Sequence, residues 1–504
     1  MSEVRYKIVL FLLLLFVTLT AVAEDFQCQV GCRRGTPRPA TMLHRAPYPP
    51  KQCGGDFYKG TRHQLVVLAS FKDRPFRGDE AATIEQWDKI FNTKGLSEEP
   101  FHGSVHDYFD AQSYGLFDVV FDLQYVQVDS CKKYRSTLSD DENSQYLVDD
   151  ALDELLQRDI KWSLYDWNGD GYVNQLLFVY AGQGSSYGNF GGDSNSIWPH
   201  QWRLNEHKDL TTAISGDYRD ARSFEWGGKT YIVDVYCAVQ EIGIEGGYDS
   251  FGTICHEYTH CFGFPDFYDG ATTYVGNWDL MDYGNMNGLG YCPTSYSAHE
   301  RWLMEWLKPI ELKEPVSIAD MPPLSEEGQA YIICNDDYPN EYYIVENRQP
   351  TRFDAKLPGA GVTIFHIDYD ESIWTSYSAS SNNNKTQHYT IFHANNRTSS
   401  SYQWGWAYPY QGNNSLTDTS QPASQLWHER SDGSKLMSKP LYNIAVNSDG
   451  LASFDFMEDA SAIHTVGHST TGTQCWYDLQ GRQLPDRPQS KGLYIVNGCK
   501  VVVR

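Results

Sequence analysis

Residues Ile254 to Asp269 read ICHEYTHCFGFPDFYD. Within them the order is His256-Glu257-x-x-His260-x-x-Gly263-x-x-Asp266. Residues four apart share one face of a helix, so His256 and His260 can present two imidazoles to one ion. Glu257 is adjacent to the first of them, in reach of a water on that ion without being a ligand. Zinc held this way acidifies its water, and a neighbouring carboxylate can take the proton. Gly263 lets the chain leave the helix and Pro265 keeps the helix from resuming, which returns Asp266 as a third ligand. Asp269, and Glu300 on a later helix, are its competitors.

An HExxH pattern alone fixes only three positions. Two further elements add to it here: the continuation to Gly263 and Asp266, and the downstream stretch Trp278-Asp279-Leu280-Met281-Asp282-Tyr283-Gly284. A methionine turn below the metal follows the short zinc helix of one group of metallopeptidases, and Met281 is placed for it. Tyr283, two residues later, is the candidate donor to an oxyanion, with a packed core tyrosine as the plainer reading.

The chain has 504 residues, enough for two or more domains with their own cores. It opens like a secretion signal. Arg5 and Lys7 precede an apolar run from Ile8 to Ala21, and Ala21-Val22-Ala23 is an A-x-A cleavage site. The run is short for a membrane span, and no other stretch is long and apolar enough to be one. The mature protein is therefore expected to be secreted or at the cell surface, with no transmembrane segment. The formal net charge of −25 argues against nucleic acid as a partner and suits a protein that holds calcium outside the cell. Abundant Tyr, Trp, Gly and Asn fit a β-rich, loop-rich chain.

Eleven cysteines leave at least one unpaired. Cys28 and Cys32 are close enough to pair locally. Cys28, Cys32 and Cys53 lie in a Pro-rich leader, Glu24 to Gly60, where export favours disulfides over a thiolate that would cap the metal. Cys255 and Cys261, flanking the zinc helix, read as small packing residues.

Along the chain, His63 to Phe71 reads as a buried strand. Ile84 to Phe91, Val105 to Ala111 and Asn143 to Arg158 read as helices, and Phe117 to Val128 as an alternating strand. Asp166, Asn168, Asp170, Tyr172 and Asn174 occupy the first, third, fifth, seventh and ninth positions of a calcium loop, with Gly171 at the sixth. Its twelfth position is Leu177, not Glu, so the loop feeds a strand, Gln175 to Tyr180, and is no helix–loop–helix sensor. An ion-free Asx turn is the alternative. Lys229 to Ala238 reads as one strand and Pro293 to Trp306 as one helix. After Pro309, short strands dominate: Tyr331 to Cys334, Tyr342 to Glu346, Val362 to Ile367, Tyr389 to His393 and Ala452 to Met457. Beyond a Ser/Thr/Gly linker, Trp476 to Arg504 reads as two strands with glycine turns.

Several motifs together resemble the immune inhibitor A family of secreted bacterial metallopeptidases. They are HEYTHCFGFPDFYD, NWDLMDYG and SAHERWLMEWLKP, supported by HDYFDAQSYGLFDVV, DWNGDGYVNQLLFVYAGQG, SIWPHQW, EYYIVENRQP and LPGAGVTIFHID. They run in order from about Thr61 to Met457. The resemblance implies a zinc endopeptidase related to the metzincins, with structural calcium and protein or peptide substrates. It also implies His256, His260 and Asp266 as zinc ligands and Glu257 as the base. The terminal module resembles, on a shorter pattern, sorting tails of the type IX secretion kind, which would make secretion machinery a partner. The leader is short for this family's propeptides, and the cysteines beside the zinc helix are not part of its pattern.

The expected fold is α+β: a metzincin-like domain of mixed sheet and helices at 61–310, then a β-rich domain packed on it at 311–457. A signal peptide (1–23), a leader (24–60), a linker (458–473) and a small β module (474–504) complete the chain. The rival reading is an exported adhesion or carbohydrate-binding protein on an inactive scaffold, with aromatics around Trp404, Trp406 and Tyr408 holding sugar.

Overall fold

The computed structural model describes residues 57–134, 144–186, 196–204, 221–243, 247–248, 251–270, 272–374, 381–382, 385–458, 476–478, 482–484, 486–496 and 499–503. The signal peptide, Cys28, Cys32, Cys53, nearly all of the leader and the linker lie outside these residues.

The first unit is built on five strands in the order β2-β1-β4-β8-β5. They are β1 (Gly60–Phe71), β2 (Phe117–Val128), β4 (Leu176–Gln183), β5 (His200–Arg203) and β8 (Val235–Ile242). Neighbours pair in parallel except β5, which runs antiparallel at the edge. The unbroken apolar run Leu65 to Ala69 is buried throughout, as expected of a parallel strand covered on both faces. Between them, β3 (Tyr172–Val173), β6 (Arg222–Trp226) and β7 (Lys229–Val233) form a small second sheet. The single strand expected over Lys229 to Ala238 is thus two strands in two sheets, divided at Asp234.

Helices α1 (Glu80–Asn92), α2 (Val105–Gln112) and α3 (Gln145–Leu155) pack on the large sheet. Asp79 caps α1 through Ala82 N. At α2, Ser104 and Asp107 cap one another's backbone in a capping box. Helix α4 (Phe251–His260) is the predicted metal helix, and every one of its residues is buried. Helix α5 (Ala298–Leu303) is shorter than the expected Pro293 to Trp306. Ser297 caps it with a Ser297–Glu300 box, so the five residues before it stay outside the helix.

The later strands are β9 (Ile310–Glu311), β10 (Val316–Met321), β11 (Ala330–Cys334), β12 (Glu341–Arg348), β13 (Gly361–Asp368), β14 (Tyr389–Ile391), β15 (Leu441–Val446) and β16 (Ala452–Phe456). They form one sheet, β14-β13-β12-β11-β9, and a second, β10-β16-β15. Strands β12 and β13 are buried at every position. Their alternating side chains serve two cores. Tyr342, Ile344, Phe365 and Ile367 join the core that contains α4 and β1. Tyr343, Val345, Val362 and Ile364 join a second core against β15 and β16.

The terminal residues form a four-stranded sheet, not the two strands expected: β17 (Trp476–Tyr477), β18 (Gln483–Leu484), β19 (Gly492–Val496) and β20 (Cys499–Val503). No helix among the described residues is long and apolar enough to cross a membrane.

Candidate metal centre

Helix α4 sits deep because it can approach its neighbours closely. A Cβ on Gly252 would lie 2.0 Å from the Asn285 carbonyl oxygen, so no other residue fits there without movement. After His260 the helix tightens into a final turn, with Gly263 N bonded to His260 O. Gly263 then takes φ 94°, a left-handed value that glycine adopts without strain. The chain doubles back so that Asp266 faces the helix it has just left.

His256, His260 and Asp266 each offer a ligand atom within 4.8 Å of the others, and they are the only such group among the described residues. His256 Nε2 and His260 Nε2 lie 3.2 and 3.3 Å from the same Asp266 oxygen, Oδ1. None of these three buried atoms has a hydrogen-bond partner. The other ring nitrogens are committed: His256 Nδ1 pairs with Leu280 O at 2.8 Å and His260 Nδ1 with Phe264 O at 2.7 Å. A carbonyl only accepts, so both Nδ1 atoms donate, and the two Nε2 atoms are the ones turned toward Asp266 and able to face an ion. Leu280 belongs to the methionine turn, so that turn fixes the first histidine. Phe267 N bonds Met281 O at 2.8 Å, which ties the turn to the segment carrying Asp266.

Both Glu257 oxygens are buried without partners. Burial pushes the Glu257 carboxyl well above its usual range, and the Asp266 charge adds to this. Burial pushes Asp266 the same way, but the facing His260 and His256 outweigh it and hold that carboxyl low.

The competing residues are elsewhere. Glu300 Oε2 accepts from Ser297 N at 2.7 Å as part of the α5 capping box, and Asp269 is in a turn with Thr272. Tyr283 is buried, its ring 6.0 Å from that of Tyr268. Sequence reasoning passed over Tyr268. Its ring lies 6.5 Å from that of His256, and burial together with the Asp266 and Glu257 charges raises its hydroxyl. Its place two residues after Asp266 was the available signal. Asp282 was missed as well: its carboxylate gathers Thr273 Oγ1 and the amides of Tyr274, Val275 and Gly276.

Cys255 and Cys261 are fully buried free thiols in the core around α4. The residues of the aromatic loop do not share one exposed face. Trp406 and Tyr408 are buried, and Trp406 stacks on His393 at 3.9 Å. Trp404 alone of the three is exposed.

In the acidic loop, Asp166 Oδ2 accepts from Gly171 N at 3.0 Å, Asp170 Oδ1 from Tyr172 N at 2.8 Å, and Asn174 Oδ1 from Trp167 N at 2.7 Å. Asp166 Oδ1 is buried with no partner. Lys229 Nζ reaches into the loop, 2.6 Å from Asp166 Oδ2 and 3.0 Å from Gly169 O.

Residues 83–309 match the immune inhibitor A peptidase M6 catalytic domain. All of α4, Asp266 and the methionine turn lie inside that match. Immune inhibitor A of Bacillus thuringiensis subsp. alesti is 34% identical over 169 residues, 31% of this chain and 22% of that protein. The pre-pro-metalloprotease PrtV of Vibrio cholerae serotype O1 (strain M66-2) is 28% identical over 292 residues, 50% of this chain and 30% of that protein. The chain thus spans less than a third of the length of these relatives. The matched domain and the relatives' names support a metallopeptidase.

Proposed function

We propose that this chain is a secreted zinc endopeptidase that hydrolyses peptide bonds in proteins. His256, His260 and Asp266 would hold the zinc and Glu257 would be the general base. The observation that carries this reading is the trio of buried, partnerless ligand atoms beside a buried, partnerless carboxyl. Two neutral imidazoles and one carboxylate suit zinc by donor type. Zinc bound there supplies Lewis acidity toward a carbonyl oxygen and lowers the pKa of water.

Glu257 takes a proton from the attacking water and returns it to the leaving amine. Leu280 O and Phe264 O hold the two imidazoles in their Nδ1–H tautomers. Tyr283 donates to the developing oxyanion, with Tyr268 beside it. The catalytic region would be metzincin-like and span residues 61–310, followed by a β-rich domain at 311–457. A sorting-type module at 474–504 would engage secretion machinery of the type IX kind.

Calcium is proposed for Asp166, Asn168, Asp170, Tyr172 and Asn174. The partnerless Asp166 Oδ1 supports it, while Lys229 competes for the same carboxylate.

Metal analysis together with casein cleavage, with and without a chelator, tests the central reading. Glu257→Ala should keep its zinc and lose cleavage by about 10²–10⁴-fold, the usual contribution of a general base. His260→Ala should lose the metal as well. Cleavage by Glu257→Ala at the wild-type rate refutes the mechanism. A zinc-replete His260→Ala protein refutes the ligand set. Wild-type protein that holds zinc without cleaving would return the chain to the adhesion reading.

A further inference from the structure

We infer that Asn382, which lies outside the matched peptidase region, is a positioning residue for the metal centre: it fixes the backbone that presents Asp266. The inference rests on the zinc reading above and adds a part of the site that residues 83–309 do not contain.

Asn382 is buried, in the segment that leads into β14. Among the described residues its amide group makes these four hydrogen bonds. Nδ2 donates to Phe267 O at 2.9 Å and to Tyr389 O at 2.8 Å. Oδ1 accepts from His388 N at 2.7 Å and from Tyr389 N at 3.0 Å. One residue earlier, Ser381 N donates to Asp266 O at 3.0 Å. The carbonyls of Asp266 and Phe267 are therefore both held by residues more than a hundred positions away. On the other side, Phe267 N is held by Met281 O.

The clamp is itself anchored. His388 Nδ1 lies 2.9 Å from Asp368 Oδ2 at the end of β13. The Tyr389 ring stacks on Phe267 with centroids 4.0 Å apart. The Tyr389 hydroxyl bonds Asp279 Oδ2 and Ser297 Oγ at 2.8 and 2.7 Å, and Asp279 Oδ1 accepts from Met281 N. Asp266 thus reaches the histidines from a short stretch pinned between the methionine turn and Asn382. Without Asn382, Phe267 O and Tyr389 O each lose a buried donor, and one of the three hydrogen bonds that hold the Asp266–Phe267 backbone is gone. Groups that hydrogen-bond a ligand directly change metal affinity by about 10–100-fold, and Asn382, which acts one residue away through Phe267 O, should fall at the lower end.

The test compares full-length wild type, Asn382→Ala and Asn347→Ala. Asn347 is a matched control. It too is buried and donates from Nδ2 to two carbonyls, Met321 O and Gly450 O, on the side of β12 away from the metal. Zinc dissociation constants come from competition with a chromophoric chelator, and the visible spectrum of the cobalt-substituted protein reports ligand geometry. We expect Asn382→Ala to weaken zinc by about 10-fold and to alter the cobalt bands. Asn347→Ala should lower the melting temperature and leave both readings at wild-type values. Where the alanine variant does not accumulate, Asn382→Ser, with a hydroxyl too short to span Phe267 O and Tyr389 O, is read in the same way. Wild-type zinc affinity and cobalt spectrum in the Asn382 variants overturn the inference alone. Equal losses in Asn347→Ala overturn it too, since the effect would then be general destabilisation. A wild-type chain that binds no zinc overturns the metal reading and this inference with it.

Discussion

Replacing Arg348 with Met should cost the protein about 3 kcal/mol at pH 8, and less in acid. Arg348 lies wholly buried on β12. Its guanidinium bonds Asp354 through Nε and Nη2, both at 2.8 Å, and Glu346 through Nη1 at 3.0 Å. It also reaches Trp278 O, Thr294 Oγ1 and Ser295 O at 3.1–3.3 Å, so one side chain joins the β14-β13-β12-β11-β9 sheet to the segment around the methionine turn. Methionine fills a similar space without charge and strands two buried carboxylates. Breaking a buried ion pair from one side costs about 3–5 kcal/mol. The lower end applies here, because Asp354 keeps Ser295 N and Thr294 Oγ1, and Glu346 keeps Ala298 N. Against a typical stability of about 5–15 kcal/mol this is a large fraction.

The pH dependence gives the sharper check. Burial pushes the Asp354 carboxyl up, but Arg348 outweighs it and holds the group below its usual range. A depressed carboxyl contributes stability above its unfolded pKa, about 3.9, and loses that contribution as pH falls through the folded value. In the variant the Ser295 amide and the Arg301 charge still oppose burial, but the larger Arg348 contribution is gone, so the Asp354 pKa rises and the penalty grows as pH climbs above about 4. Urea denaturation followed by tryptophan fluorescence at pH 4.5 and pH 8 measures both. Arg348→Met/Asp354→Asn should recover part of the loss. A loss below about 1 kcal/mol at pH 8, or one equal at the two pH values, would contradict the energetics assigned to this cluster.

Three shorter expectations can be checked in the same preparations. Adding calcium to chelator-stripped protein should raise the melting temperature, Asp170→Ala should abolish the gain, and Lys229→Met should tighten calcium by removing the competing ammonium. An unchanged melting curve on adding calcium counts against the loop. Asp107, whose pKa is lowered to about 2 because the neighbouring His106 ring and hydrogen bonds from the Gly95, Ser104 and Leu96 amides outweigh burial, should contribute about 1–2 kcal/mol after solvent screening. That contribution is present above about pH 4 and lost toward pH 2, so wild type and Asp107→Asn should converge in acid, and parallel stability curves would exclude it. Tyr283→Phe should lower kcat by about 10²-fold with little change in KM, as for an oxyanion donor, while an effect confined to Tyr268→Phe would move that role to Tyr268.

The legible features of this chain were the local ones. The spacing from His256 to Asp266 foretold a helix, its glycine exit and a return, because each step is decided within a few residues. Phe117 to Val128 was read to the residue from its alternation. Lys229 to Ala238 was misread because its apolar run continues through Asp234, where the chain changes sheet; nothing local marks which strand will pair. The long helix expected from Pro293 was an error of capping. Ser297 and Glu300 form a recognisable box, and Glu305, at φ 56°, ends the helix only two residues past Leu303. Asn382 carries no sequence signature at all, since its partner Phe267 is 115 positions away.

That distance bears on where the site ends. Within the matched region, α4 supplies two histidines and Asp266 returns to them, a compact motif. Yet the core that buries α4 also includes Phe365, Ile367 and Tyr389 from the β14-β13-β12-β11-β9 sheet, and Trp406 from the loop beyond it. Strands β12 and β13 have no exposed face because each side is spent on a different core. Removing that sheet would open the core around the methionine turn, expose Phe267 where Tyr389 stacks, and leave the Asp266 carbonyl without Ser381. The HExxH pattern supplies donor atoms, but their fixed spacing depends on a sheet that begins only after the matched domain has ended. A fragment stopping at residue 309 would therefore keep every candidate ligand in its sequence and still lack the packing that holds them 3.2–3.3 Å apart.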